Sequence, residues 1–229
     1  MTLPASIEQA RFNMIEQQIR PWDVLDPQVL ALLSVLHRED FVPASHQALA
    51  FVDMEIPLVA DAKAARQSGR CMLAPRVEAR MLQDVAPQPH EKVLEIGTGS
   101  GYMAALLGAR AASVISLEID PQLAAVARAN LVRAGVKNVE VREADGARGL
   151  PAEGPFDVIV LSGSVAQVPE ILKDQLKVGG RLIAIVGDEP MMRATLITRT
   201  GAVGFTETQR WDTVAPRLAH FPELARFKF

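Results

Sequence analysis

Apolar runs and helix-period patterns alternate along the chain from Glu91 onward. Five short runs rich in Val, Ile and Leu each end in a polar turn, which is typical of buried parallel strands. Two further runs follow with no helical segment between them, so we expect an antiparallel pair at the sheet edge. The seven predicted strands are Lys92–Ile96, Ser113–Glu118, Val139–Arg142, Phe156–Leu161, Arg181–Val186, Met192–Arg199 and Phe205–Trp211. This order predicts an α/β fold, a doubly wound, mostly parallel, Rossmann-like sheet of seven strands with a terminal antiparallel hairpin.

The first ninety residues show helical spacing instead of strand runs. Phe12, Ile15 and Ile19 form an apolar stripe that predicts one helix. A second helix is expected after Asp26, because Asp is a favoured N-cap and a proline follows it. A third is predicted from Pro75 to about Val85, where apolar residues again recur at helical spacing. These patterns predict an N-terminal helical extension.

The segment Val59–Cys71 lies between the second and third predicted helices. Residues 61–67 have helical propensity, but Gln67, Ser68 and Gly69 are typical of a loop. We expect the whole segment to be a mobile surface loop. The predicted division of the chain is therefore a helical extension with this loop over residues 1–90 and a sheet domain over residues 91–229.

Composition and charge narrow the possible partners. The chain has 229 residues and a net charge of −3, and it has no dense Lys/Arg run, so nucleic-acid binding is not expected. Its single cysteine, Cys71, excludes an intramolecular disulfide framework and fits a reducing compartment. Residues 1–18 do not resemble a signal peptide, and no apolar run is long enough to span a bilayer. We expect a cytoplasmic protein with no membrane partner. The four histidines are scattered, and no metal site is predicted.

The segment from Val93 to Gly101 carries the most specific chemical signal. A predicted strand ends in Glu95-Ile96 and leads into a turn with glycines at 97, 99 and 101, after which a helix begins. Open α/β sheets hold nucleotides at such strand–turn–helix junctions. The Gly-x-Gly-x-Gly spacing and the absence of a pyrophosphate-binding pattern argue against NAD. An empty tight turn, or a turn that serves another nucleotide, remains the alternative.

With Glu95 before it, this turn resembles the first motif of S-adenosylmethionine (SAM) methyltransferases. The resemblance implies SAM as cofactor, and we expect the turn, with Gly97, Thr98, Gly99 and Gly101, to bind it through backbone amides that meet the methionine carboxylate. Glu95 is expected to help hold the cationic side of the ligand.

Acidic residues at the ends of the next two predicted strands complete the expected cofactor site. Glu118 can accept hydrogen bonds from both ribose hydroxyls, and Ile119 offers an apolar surface to the adenine. After the third strand, Asp145 can accept from the adenine amine while the Gly146 region supplies a backbone amide. The alternatives are a surface acid beside a helix cap for Glu118 and a common Asp-Gly turn for Asp145. Ser162, at the end of the fourth strand, is a further candidate, either lining the site or turning the chain.

Several other segments resemble the protein-L-isoaspartate O-methyltransferase family. They include Met14–Arg20, Arg38–Pro43, Ala50–Leu58, Lys92–Tyr102 and Gln175–Leu182. The resemblance implies methyl transfer from SAM to the carboxylate of isoaspartyl residues in damaged proteins, hence a protein or peptide acceptor. It also implies a protein-repair role.

The resemblance fails at the loop after Pro57-Leu58, which is longer here than in the family. Leu73 stands where the family has a serine whose hydroxyl is thought to aid catalysis, and leucine cannot form that hydrogen bond. No catalytic residue is therefore assigned. Arg70 can clamp a carboxylate or be a solvated charge, and Cys71 can be a weak donor or a small semi-buried thiol. The alternatives are a methyltransferase retargeted to another acceptor, including a small molecule, or a SAM-binding protein without turnover. The sequence does not predict an oligomeric state.

Overall fold

The computed structural model describes residues 4–223 and forms nine strands from them. In chain order they are β1 (Ile56–Pro57), β2 (Cys71–Met72), β3 (Lys92–Ile96), β4 (Ser113–Glu118), β5 (Val139–Glu143), β6 (Phe156–Val165), β7 (Leu176–Asp188), β8 (Met191–Arg199) and β9 (Phe205–Thr213). β1 and β2 form a separate antiparallel pair, and the other seven form one sheet in the order β5-β4-β3-β6-β7-β8-β9. The sheet is parallel from β5 to β7 and antiparallel from β7 to β9. The predicted fold class is confirmed.

Seven α-helices accompany these strands within the described residues. They are α1 (Pro4–Met14), α2 (Pro27–Val35), α3 (Ala62–Ser68), α4 (Pro75–Val85), α5 (Tyr102–Gly108), α6 (Pro121–Arg133) and α7 (Glu170–Lys173). No helix among residues 4–223 has the length and apolar character needed to cross a membrane.

Both faces of the sheet are covered, because successive side chains of a strand point to opposite sides. On one face, residues such as Val93 and Val114 pack with side chains of α2, α4, α5 and α6. On the other, Leu94 and Ile115 pack with Leu172 of α7. The sheet therefore lies between helices, with its strand ends free to form a site.

The N-terminal extension shares the first of these cores. Met14, Ile15 and Ile19 are buried in the same apolar cluster as Val93. The helix changes at Ile15–Ile19 into a π-helical turn and then into the 3₁₀ turn Arg20–Trp22. Phe12, which we expected on the buried stripe, is 58% exposed, since the core-facing side of the helix begins at Met14. The division at residue 90 stays a prediction.

The expectation of a surface loop over Val59–Cys71 is wrong, because residues 62–68 form α3. Asp61 caps this helix by accepting from the Lys63 and Ala64 amides at 2.9 and 3.1 Å. Gly69 ends it in the left-handed conformation, at φ +74°. The β1–β2 pair closes the two ends of the insertion, with Pro57 opposite Cys71. Capping and strand pairing together stabilise the helical conformation of the segment.

Candidate active site

A cavity of about 590 Å³ lies at the carboxyl ends of β3, β4 and β5, next to the point where the strand order reverses between β3 and β6. Its volume is within the range of small-molecule sites, roughly 300–1,000 Å³. The predicted residues that line it are Arg70, Cys71, Gly97, Gly99, Glu118, Ile119, Asp145, Gly146 and Ser162. Glu95, Thr98 and Gly101 do not reach its wall. The structure thus brings most of the candidates together.

The backbone amides of Gly97, Thr98 and Gly99 in the glycine turn donate hydrogen bonds to other groups of the protein. Gly97 and Thr98 donate to the carbonyl of Leu117 at 2.9 and 3.3 Å. Gly99 donates to Oε2 of Glu118 at 2.7 Å. These three amides bond within the protein because the turn lies over the end of β4. The expectation that the turn meets a ligand carboxylate stays a prediction.

Glycines 97 and 99 line the cavity and lie close to neighbouring leucine side chains. A Cβ on Gly97 would lie 2.7 Å from the Leu218 side chain, and one on Gly99 would lie 3.2 Å from Leu58. Gly101 has a different role, since it precedes α5 and a Cβ at this position would lie 3.3 Å from Ala127 of α6. The turn is thus shaped by close packing at each glycine.

Glu118 and Ile119 form one end of the cavity. Glu118 is nearly buried, and its Oε1 accepts from the Asp120 amide at 3.0 Å while its Oε2 accepts from Gly99. A carboxylate has about four acceptor positions, so acceptor capacity remains on the cavity side. Ile119 is 40% exposed beside it. An acid and an exposed apolar surface therefore stand next to each other.

Asp145 and Gly146 follow β5 on the same wall. Asp145 caps a short 3₁₀ turn by accepting from the Ala147 amide at 3.0 Å, and its other oxygen lies 2.8 Å from Nδ1 of His220. Burial acts to raise the pKa of Asp145, but the Ala147 amide and His220 outweigh it and hold this pKa below its ordinary value. The carboxylate is thus ionised and ready to accept further hydrogen bonds. His220 is exposed, and nothing near it in the sequence indicated this contact.

Glu95 lies behind the turn and has no exposed surface. Its Oε2 accepts from the Ser116 hydroxyl at 2.6 Å, and its Oε1 accepts from the Ser162 hydroxyl at 2.7 Å. The Ser116 hydroxyl in turn lies 2.6 Å from that of Thr98. Burial raises the pKa of Glu95 to about 8; the two serine hydrogen bonds act to lower it, and the charges of Glu78 and Glu118 raise it further. A direct cofactor contact for Glu95 and Thr98 stays a prediction, since both are buried here.

The sequence as a whole matches known proteins over most of its length. The model of the family described as protein-L-isoaspartate(D-aspartate) O-methyltransferase matches residues 9–212. The chain belongs to this family. A protein-L-isoaspartate O-methyltransferase of Methanoculleus marisnigri is 41% identical over 194 residues, 84% of each chain. One of Rhodopseudomonas palustris is 40% identical over 200 residues, 87% of this chain and 88% of the relative.

Solved structures agree with the fold. A putative protein-L-isoaspartate O-methyltransferase of Plasmodium falciparum, crystallised with S-adenosyl-L-homocysteine, superposes with a TM-score of 0.70 at 19% identity, covering 92% of this chain and 98% of that one. A second structure described as protein-L-isoaspartate O-methyltransferase gives 0.74 at 24% identity, covering 93% and 65%. At these identities the likeness concerns the fold. With the family established, the chain is a SAM-dependent methyltransferase.

The candidate substrate side of this methyltransferase contains Arg70 and Cys71. The Arg70 guanidinium is paired, with its Nε 2.9 Å from Oδ2 of Asp120, the N-cap of α6. Burial raises the pKa of the Cys71 thiol to about 11, and the charge of Glu55 adds to this effect. The thiol is therefore protonated at neutral pH and is no nucleophile. Arg70 therefore links the end of the insertion to the N-terminus of α6.

Leu73 is not among the residues that line the main cavity. It is 4% exposed, and its carbonyl accepts from Nη2 of Arg38 at 2.6 Å. It borders a second cavity of about 20 Å³, which also touches Gly97, Gly99 and Ser162. The small cavity thus adjoins the main one at the glycine turn, and no hydroxyl from position 73 reaches it.

Two segments that the sequence did not connect form a roof over the cavity. The end of α3 supplies Gln67, Ser68 and Gly69, and residues 217–221 cover the opposite side. The two meet where a Cβ on Gly69 would lie 2.3 Å from the Arg217 carbonyl oxygen, so only glycine fits. No local pattern could have predicted this contact, because 147 residues separate its partners in the sequence.

Proposed function

We propose that the protein transfers a methyl group from SAM to the α-carboxylate of isoaspartyl residues in proteins or peptides. The observation that carries the proposal is the cavity at the strand-order switch point, with Glu118 and Asp145 on its wall, in a chain of the isoaspartyl methyltransferase family. The curated relatives bear the name of this activity and are matched over more than four fifths of their length.

The nucleoside end of the cofactor fits the wall formed after β4 and β5. Glu118 keeps free acceptor positions that suit two ribose hydroxyls, since two of its lone pairs are used by Gly99 and Asp120. Ile119 offers apolar surface for one adenine face, and Asp145 is an ionised acceptor for the adenine amine. We assign the adenosine to this end of the cavity.

The methionine end then lies at the glycine turn. Gly97 and Gly99 line this part of the cavity without side chains, and Leu58 and Leu218 add apolar surface beside them. Bound SAM supplies a methyl group that its sulfonium already activates. The acceptor carboxylate is ionised at pH 7, so the protein needs no strong base. Its contribution is to hold the acceptor in line at roughly 3 Å, and positioning of this kind supplies much of an enzyme's rate.

A methyltransferase for a different acceptor is the second candidate. One observation favours it: Leu73 is buried with its carbonyl held by Arg38, and α3 narrows the approach to the cavity. A site roofed in this way suits a smaller or differently shaped acceptor. The cofactor assignment is the same for both candidates.

The test is methylation of one peptide in two forms, isoaspartyl and aspartyl. The protein is incubated with methyl-labelled SAM and each peptide, and base-labile methyl esters are counted. We expect label in the isoaspartyl form alone, because the aspartyl form displays no equivalent α-carboxylate at that position. SAM binding is measured in parallel by calorimetry. Binding without label in either peptide would overturn the isoaspartyl assignment and favour the second candidate.

We also propose a cytoplasmic location and a protein or peptide partner rather than a nucleic acid. The reduced, buried thiol of Cys71 and the net charge of −3 support these assignments.

A further inference from the structure

Two serines, Ser68 and Ser162, line the main cavity among the residues that the structure describes. The Ser68 hydroxyl donates back into α3, to the carbonyl of Ala64 at 2.7 Å. Ser162 lies where the main and small cavities adjoin, beside Cys71 and the glycine turn. Of the two serines, Ser162 belongs to the sheet and lines both cavities, and its hydroxyl lies 2.7 Å from Oε1 of Glu95.

We propose that the Ser162 hydroxyl, held from behind by Glu95, positions the acceptor carboxylate for methyl transfer. Ser162 is then a positioning residue that takes over a task for which Leu73 has no suitable group. The inference rests on the proposed function, since it names the group that binds the acceptor of that reaction. It assigns the methyl-accepting end of the site to the junction of the two cavities.

The buried hydrogen bonds behind Ser162 can all point toward the cavity. Ser116 donates to Oε2 of Glu95, and it can accept from Thr98 at the same time. Burial keeps Glu95 protonated at neutral pH, with Glu78 and Glu118 as the charged groups that oppose its ionisation. When Glu95 is ionised, its Oε1 accepts from the Ser162 hydroxyl at 2.7 Å. When Glu95 is protonated, its carboxyl can donate across the same pair of oxygens, and Ser162 then accepts. The Ser162 proton is then free to donate to an anionic acceptor. This does not require the Ser116 bond, which acts to lower the pKa of Glu95 and so favours its ionised form.

The experiment compares Ser162→Ala, Ser162→Thr and Ser116→Ala with the wild type on the isoaspartyl peptide at saturating SAM. Loss of a hydrogen bond to a charged acceptor typically costs about tenfold to a hundredfold in binding. We expect Ser162→Ala to lower kcat/KM by at least about tenfold, mainly through a higher peptide KM. Ser162→Thr keeps the hydroxyl and should recover activity to within about threefold of the wild type.

Ser116→Ala is the matched control, because it removes a hydrogen bond from the same carboxylate but lines neither cavity. Ser116→Ala should change the peptide KM by less than about threefold. In Ser162→Ala, the SAM affinity measured by calorimetry should stay within about twofold of the wild type. Equal losses in Ser116→Ala and Ser162→Ala would overturn the inference, as would weakened SAM binding in place of a raised peptide KM. Wild-type-like turnover by Ser162→Ala overturns this inference alone, whereas a wild type without turnover overturns the proposed function as well.

Discussion

Gly99 is the residue at which ligand space and backbone conformation coincide. Its φ of +53° is unfavourable for a branched side chain, and a Cβ there would lie 3.2 Å from Leu58 at the cavity wall. We expect Gly99→Val to weaken SAM binding by at least about tenfold, because the valine side chain would occupy space that the ligand needs. The substitution would also disturb the hydrogen bond that the Gly99 amide donates to Glu118. Isothermal calorimetry with SAM measures the change.

Gly135→Val provides the control for backbone strain alone. Gly135 has a φ of +71°, ends the α6 region and has no atom within 4 Å of its added Cβ. We expect it to lower thermal stability while SAM affinity stays within about twofold of the wild type. Equal loss of SAM binding in both variants would contradict the placement of the SAM site at Gly99.

Residue chemistry at exposed strand ends was predictable, and the internal bonding of the turn was not. Glu118 and Asp145 could be placed at the cavity because parallel strands bring their carboxyl ends to one edge. The use of the Gly97 and Gly99 amides by Leu117 and Glu118 depends on how the turn lies over β4, and sequence spacing does not contain that information. The burial of Glu95 follows from its neighbours on two other strands.

At the scale of elements, α3 shows how a helix can be overlooked. Asp61 is a good N-cap and Gly69 a good C-terminal residue, so both end signals were present. The helix has only seven residues, and so short a helix is marginal in isolation. Its stability depends on the β1–β2 pair and on the pairing of Arg70 with Asp120, which are tertiary contacts.

We therefore expect Asp61→Ala to loosen α3 without unfolding the protein. Loss of an N-cap costs about 1 kcal/mol, which corresponds to roughly fivefold faster amide exchange where local opening dominates. Hydrogen exchange of the α3 amides, followed by mass spectrometry without ligand, measures this. Asp26→Ala is the control. Asp26 caps α2, with its Oδ1 accepting from the Gln28 amide at 2.8 Å, and its substitution should leave amide exchange in α3 unchanged. Similar acceleration of α3 in both variants would contradict a local role for Asp61.

Across the whole molecule, one apolar cluster joins the N-terminal extension to the sheet. Met14 and Ile19 pack in the same core as Tyr102 and Leu106 of α5. A buried ion pair also lies within this core, where Glu78 pairs with Arg38. The overall fold was predictable from periodicity because seven strands alternate regularly with helices, whereas the shared core depends on contacts distant in sequence.

The buried carboxyl of Glu95 makes global stability depend on pH. Its pKa is raised by burial to about 8 in the folded protein from 4.5, so between these values the folded state holds the proton more tightly than the unfolded state. Stability from this group is therefore complete below about pH 4.5 and is lost as pH rises toward 8. We expect Glu95→Gln to gain stability relative to the wild type between pH 5 and pH 8, by more than about 1 kcal/mol in the free energy of unfolding.

Urea unfolding of both proteins across this pH range measures the difference, with Glu140→Gln as control. Glu140 is exposed, and hydrogen bonds from Arg142 hold its pKa below the ordinary value, so its substitution should give no such trend above pH 5. Burial also raises the pKa of Glu78, to about 7, so this group makes stability fall with rising pH in the same way. All the compared proteins retain Glu78, so its effect cancels in the differences between them. Parallel stability curves for Glu95→Gln and the wild type would contradict a neutral Glu95 in the folded state.

The contact between Gly69 and Arg217 gives the segment 217–221 an importance that its position after the last strand does not suggest. The sheet ends at Thr213 and the family model matches only as far as residue 212, yet Leu218 and Phe221 bound the volume that a ligand would fill. A chain that ended after β9 would keep every strand, Glu118 and Asp145. Its main cavity would lose the wall that residues 217–221 provide. Residues 217–221 thus shape the cavity from outside the region that the family model matches, and their side chains contribute to what the cavity can admit.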